Sequence, residues 1–118
     1  MRRLLLVPVV LVLLSGCGGG LVTANDVGQA FQEEGLPLTD ARDTGENCET
    51  SEVCATRITS EDVSIYGYWS ESDAAAYAEA CSDCYQAGPI VLNYATSQTP
   101  EEYRADYERV LDEVVGVG

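Results

Sequence analysis

Residues 63–95 read VSIYGYWSESDAAAYAEACSDCYQAGPIVLNYA. The first seven alternate. Val63, Ile65, Gly67 and Trp69 fall on one side of an extended chain and Ser64, Tyr66 and Tyr68 on the other, which is the period of a strand. Alanines then crowd the stretch from about Asp73 to Tyr85, where Ala74, Ala78, Cys81 and Tyr85 recur at helical spacing and share an inner face. Ser70 or Ser72 is the natural cap, because a serine hydroxyl accepts from the free N–H groups of a first helical turn. Gly88-Pro89 stops this helix. Ile90 to Ala95 is the most apolar of the short runs, as expected for a central strand. Strand, helix and strand in that order predict a crossover between two parallel strands.

Upstream, Cys54 to Thr59 reads as a strand joined to Val63–Trp69 through Ser60-Glu61-Asp62, adding an antiparallel neighbour. Asp43 to Glu52 is polar, contains Gly45 and Asn47, and forms a loop that holds Cys48. Leu38 to Arg42 is an extended stretch following Leu36-Pro37. A first helix spans about Ala24 to Glu34. Thr23 caps it, Asp26 completes the reciprocal pair three residues on, and Val22 faces Val27 across the entry. Val27, Ala30 and Phe31 form its apolar stripe and Gly35 ends it in the left-handed conformation.

Downstream, Thr99-Pro100-Glu101-Glu102 starts a third helix, with Thr99 as cap and Pro100 in the first turn. Tyr103, Tyr107, Val110, Leu111 and Val114 follow its amphipathic register. The expected fold class is α+β: a small mixed sheet of three to four strands, with about three helices packed mainly on one face.

The N-terminus carries an address. Arg2 and Arg3 precede Leu4–Leu14, 11 residues interrupted in character only by Pro8. A membrane-spanning helix needs about 20 apolar residues, so this run fits the core of a cleaved secretory signal. Leu14-Ser15-Gly16-Cys17 looks like a lipobox. That resemblance implies a diacylglyceryl thioether on Cys17 and cleavage after Gly16. The expected organisation is a signal peptide over 1–16, a lipidated cysteine and glycine tether over 17–22, one domain over 23–115 and a tail over 116–118. Two acyl chains anchor stably where one does not, so the expected location is a cell membrane, lipid-anchored and facing outside the cytoplasm.

Charge narrows the partners. Cleavage would leave four arginines (Arg42, Arg57, Arg104, Arg109) against 20 acidic residues, a balance of −16, with no lysine. Such a field repels nucleic acid and anionic head groups. Histidine is also absent, which excludes Ser-His-Asp and Cys-His catalysis and imidazole metal sites. Without lysine there is no Ser-Lys dyad, Schiff base or phosphate-loop lysine.

Cys48, Cys54, Cys81 and Cys84 remain, an even number in a small exported domain, and read as a disulfide framework. Cys48–Cys54 and Cys81–Cys84 are favoured by proximity in the chain, with cross-pairing open because helical positions three apart sit wider than a disulfide. Cys81-Ser82-Asp83-Cys84 also admits a thiol–disulfide oxidoreductase, although a helix C-terminus and the acids Glu79 and Asp83 disfavour a thiolate. A four-cysteine zinc site suffers from the wide Cys48–Cys54 spacing. The acidic loop lacks the ligand pattern of an EF-hand, and no pair of carboxylates is positioned for glycoside hydrolysis. Tyr66 and Tyr68, with Trp69 and Tyr94, could form an open aromatic platform for a glycan or protein, or else be cross-strand packing pairs.

Taken with the lipobox, the Gly35-Leu36-Pro37 step, Asn47-Cys48 with Cys54, and Gly88-Pro89-Ile90-Val91-Leu92, the chain resembles small uncharacterised bacterial lipoproteins of the high-GC Gram-positive type. The resemblance covers most of the domain, implies no activity and carries over no functional residues. The expectation is a non-catalytic binding or structural module, needing no cofactor or metal, with the oxidoreductase on Cys81 and Cys84 as its rival.

Overall fold

The computed structural model describes residues 21–49, 54–95 and 99–116. The expected signal peptide over 1–16, Cys17 and Gly18-Gly19-Gly20 lie outside the described residues. Helix α1 (Ala24–Glu33) is closed by the expected reciprocal cap: Asp26 N–H donates to the Thr23 hydroxyl and Thr23 N–H to the Asp26 carboxylate. Gly35 takes the left-handed conformation at φ 80°. A two-residue strand β1 (Arg42–Asp43) follows, later than the Leu38–Arg42 stretch suggested, and a 3₁₀ turn (Gly45–Glu49) lies within the expected loop. Strands β2 (Thr56–Thr59) and β3 (Ser64–Gly67) form the hairpin, tied at its turn by the Ser60 hydroxyl, which donates to the Val63 carbonyl.

Helix α2 (Glu71–Ala80) is capped by Ser70 and ends five residues earlier than the alanine pattern implied. Cys81 turns extended at φ −91°, ψ 142°, and β4 (Cys84–Ala87) and β5 (Ile90–Asn93) form a second hairpin. Cys81 and Tyr85 therefore do not share the inner face of α2. The reason is the turn. Ala87 pairs with Ile90, leaving Gly88-Pro89 as a two-residue loop, and Gly88 at φ 56° supplies the positive first position that such a loop needs. A glycine–proline step read as a helix stop is the tip of a hairpin.

The sheet has five strands, not three or four, in the order β1-β2-β3-β5-β4, and every adjacent pair is antiparallel. The mixed sheet with adjacent parallel strands is thus corrected. A crossover from β3 through α2 does reach a strand running the same way, β4, but β5 folds back between them. The α+β class stands, with three α-helices among the described residues.

Helices lie on both faces rather than mainly on one. Helices α1 and α3 (Glu101–Val115) cover Ile58, Ile65, Ile90 and Leu92 with Val27, Phe31, Tyr107, Val110 and Leu111. Phe31 meets Tyr107 edge to face at 4.9 Å between ring centroids, a geometry contributing about 0.5–1.5 kcal/mol beyond area burial. On the other face, Ala74, Tyr77 and Ala78 of α2, together with Cys48 and Cys54, cover Tyr66, Tyr68 and Val91. Thr99 does not cap α3. Its hydroxyl donates to the Asp62 carbonyl and ties the helix start to the β2–β3 turn, while Pro100 takes the cap position. Tyr103, on the solvent side of that first turn, is exposed.

Gly67 marks where α1 meets the sheet. A methyl group there would sit 2.3 Å from the Thr56 Oγ1 and 3.2 Å from the Ala24 nitrogen. That hydroxyl accepts from Ala24 N–H at 2.9 Å, so the glycine is what lets the helix start dock on the strand.

Candidate functional site

Most of the chemistry-bearing residues lie along β4, where the chain leaves α2 and runs beside α3. Cys81 and Cys84 bracket the step from helix to strand, their sulfurs within bonding distance and their Cα atoms 5.8 Å apart. Cys48 and Cys54 are likewise paired, with Cα atoms 4.9 Å apart. Both separations are ones that a disulfide spans. Because α2 has already ended, the first pair does not have to bridge one turn of a regular helix. Its position is still at a helix C-terminus, whose partial negative charge raises the cost of a thiolate.

Beside it, α3 presents a row at helical spacing that the sequence reading missed: Arg104, Glu108 and Asp112. Arg104 Nη1 donates to Asp83 Oδ1 at 2.9 Å and its guanidinium lies 4.3 Å from the Tyr94 ring centroid. Glu108 accepts from the Tyr94 hydroxyl at 3.3 Å, and Asp112 accepts from the Tyr85 hydroxyl at 2.8 Å. The signal was available in the i, i+4, i+8 repeat flanking Tyr107 and Leu111.

Burial first, and then the neighbouring carboxylate, moves these phenols away from ionisation. Tyr85 is pushed up to about 12 with help from its bond to Asp112, and Tyr94 is raised further by burial and the Glu108 charge. Burial also raises Glu108, opposed by the Tyr94 hydrogen bond and Arg104. Groups held in their protonated form are the opposite of an activated tyrosinate, so the row fastens α3 to the β4–β5 hairpin.

Tyr66 and Tyr68 do not form an open platform, and Tyr94 does not join them. The three are 4%, 2% and 3% exposed. Tyr77 of α2 stacks on Tyr66 at 5.0 Å and lies 5.7 Å from Tyr68, while Tyr94 belongs to the opposite core. Alternation correctly put Tyr66 and Tyr68 on one face, but α2 covers that face. Trp69 is the exception, past the end of β3 and 70% exposed.

A cleft of about 380 Å³ lies between α1 and the β1–β2 edge, lined by Asn25, Gly28, Gln29, Gln32, Leu38, Ala41 and Ile58. Its polar groups are amides, without a titratable or nucleophilic side chain. Among the described residues no cluster of three histidine, cysteine or acidic side chains is placed to hold a metal ion, and no helix is long and apolar enough to cross a membrane.

No family model, curated protein or solved structure matches this chain. Function must therefore be argued from its own residues.

Proposed function

We propose that the chain is the precursor of a membrane-anchored, extracytoplasmic lipoprotein whose domain is a non-catalytic binding or structural module. One observation carries this reading: two arginines, an apolar run of signal length and Leu14-Ser15-Gly16-Cys17 follow one another without a gap. A cysteine is the natural acceptor of the lipid because its thiolate is a strong nucleophile. Diacylglyceryl supplies two chains, enough for stable attachment. The non-catalytic reading is supported by the lack of histidine and lysine and by tyrosines held in their protonated form. The tyrosine platform is not part of it.

Cys17→Ser tests the proposal in cells. The substituted protein should lose lipid labelling and leave the detergent phase in which the original partitions. Unchanged partitioning would sink the proposal. The rival reading, a thiol–disulfide oxidoreductase, draws on the Cys-x-x-Cys spacing of Cys81 and Cys84 and is addressed by thiol titration below.

A further inference from the structure

We propose that the end of the domain carrying Trp69 is its membrane-contacting end, and that the Trp69 indole seats in the interfacial layer of the bilayer that holds the lipid anchor. The inference rests on the lipoprotein reading and adds an orientation and a contact residue to it.

Five pieces of chain converge at this end of the sheet. The start of α1 docks on Gly67 and Thr56. The end of β3 continues through Tyr68, whose N–H donates to the Pro89 carbonyl at 2.9 Å, into Trp69. The Gly88-Pro89 turn lies against Val115 at the end of α3, where a methyl group on Gly88 would come within 3.6 Å of the valine Cβ. Trp69 and Leu21 are two and three residues beyond the contact between Gly67 and Ala24.

Tether length then decides what this end faces. Cys17 and Leu21 are four residue steps apart, and four steps span at most about 14 Å even fully extended. A lipid on Cys17 would therefore hold this end close to the bilayer surface. Two large apolar side chains within three residues of that contact are solvent-exposed: Trp69 at 70% and Leu21 at 39%. Tryptophan is the residue favoured at head-group level, because its ring is apolar and its N–H still finds a polar partner.

The opposite end suits the opposite role. The β2–β3 turn places Glu61 and Asp62 at the far end of β3, where the neighbouring Asp40 raises the pKa of Glu61. Glu71 and Asp73 of α2 do lie on the Trp69 side, so the surface that this end fits is a zwitterionic one rather than an anionic one.

Trp69 is the only tryptophan in the chain, so its fluorescence reports the contact without labelling. The full lipidated protein is reconstituted in phosphatidylcholine vesicles and floated on a density gradient. The expected result is flotation with the vesicles, emission shifted to shorter wavelength than in detergent-free Cys17→Ser protein, and loss of emission when the vesicles contain lipids brominated near the head group. Flotation with unshifted emission that aqueous iodide quenches freely would overturn the membrane-contacting end while leaving the anchor intact. Failure to float would overturn the anchor reading, and this inference with it.

Discussion

Tyr85, Tyr94 and Tyr107 each keep their proton because burial makes the phenolate expensive, and their partners add to that cost. Tyr85 and Tyr107 are pushed up to about 12 from an ordinary 10.0, and Tyr94 higher still. The sign follows from linkage: a raised native pKa gives stability that is fully present below the unfolded value and lost as pH climbs through the native one. Denaturant stability should therefore fall from about pH 10 upward, with tyrosinate absorbance for these three rings appearing together with loss of the circular dichroism signal. Ionisation of all three in the ordinary range while the fold persists would contradict the packing of α3. Some single-residue roles were readable beforehand. Thr23 with Asp26, and Gly35, act through neighbours within four positions, so the local sequence contains the whole cause. The burial of Tyr66 and Tyr68 does not work that way. Alternation assigns residues to a face, but whether a helix covers that face is decided by where α2 runs.

The same distinction governs the elements. Four residues, Cys84 to Ala87, are too few to outweigh a preceding alanine-rich run, so the helical pattern carries on to Tyr85. Their alternation, with Tyr85 and Ala87 toward one core and Cys84 toward the other, was a strand signal hidden by that run. The two disulfides clamp different junctions, and their removal should differ in effect. Loop-closure entropy gives about 2 kcal/mol for either short loop. Cys48 and Cys54 are also buried against Tyr66 and Tyr68, so Cys48→Ala with Cys54→Ala should lower the thermal midpoint more than Cys81→Ala with Cys84→Ala. Equal shifts would mean that the second core does not depend on that bridge. In the reduced, folded protein, alkylation of Cys81 and Cys84 should show no thiol titrating below the ordinary value of about 8.5. A depressed thiol together with disulfide-reductase turnover would promote the oxidoreductase.

At the scale of the whole molecule, charge and the proposed anchorage dominate. With a balance of −16 once the first 16 residues are removed, self-repulsion destabilises the compact state and salt screens it over about 10 Å at 0.1 M. The ion pairs Arg104–Asp83 and Arg109–Glu113 occupy two of the four arginines and leave most acids uncompensated by them. The thermal midpoint should rise between low and moderate ionic strength. A flat curve would indicate that bound cations already neutralise the surface, and a rise confined to calcium would identify one. The central claim is tested most directly by intact-mass analysis of the protein extracted from membranes. The account predicts a chain beginning at Cys17 with a diacylglyceryl group on its sulfur and the remaining four cysteines oxidised. A chain that begins at any other residue, or one whose Cys17 sulfur carries no lipid, would contradict it.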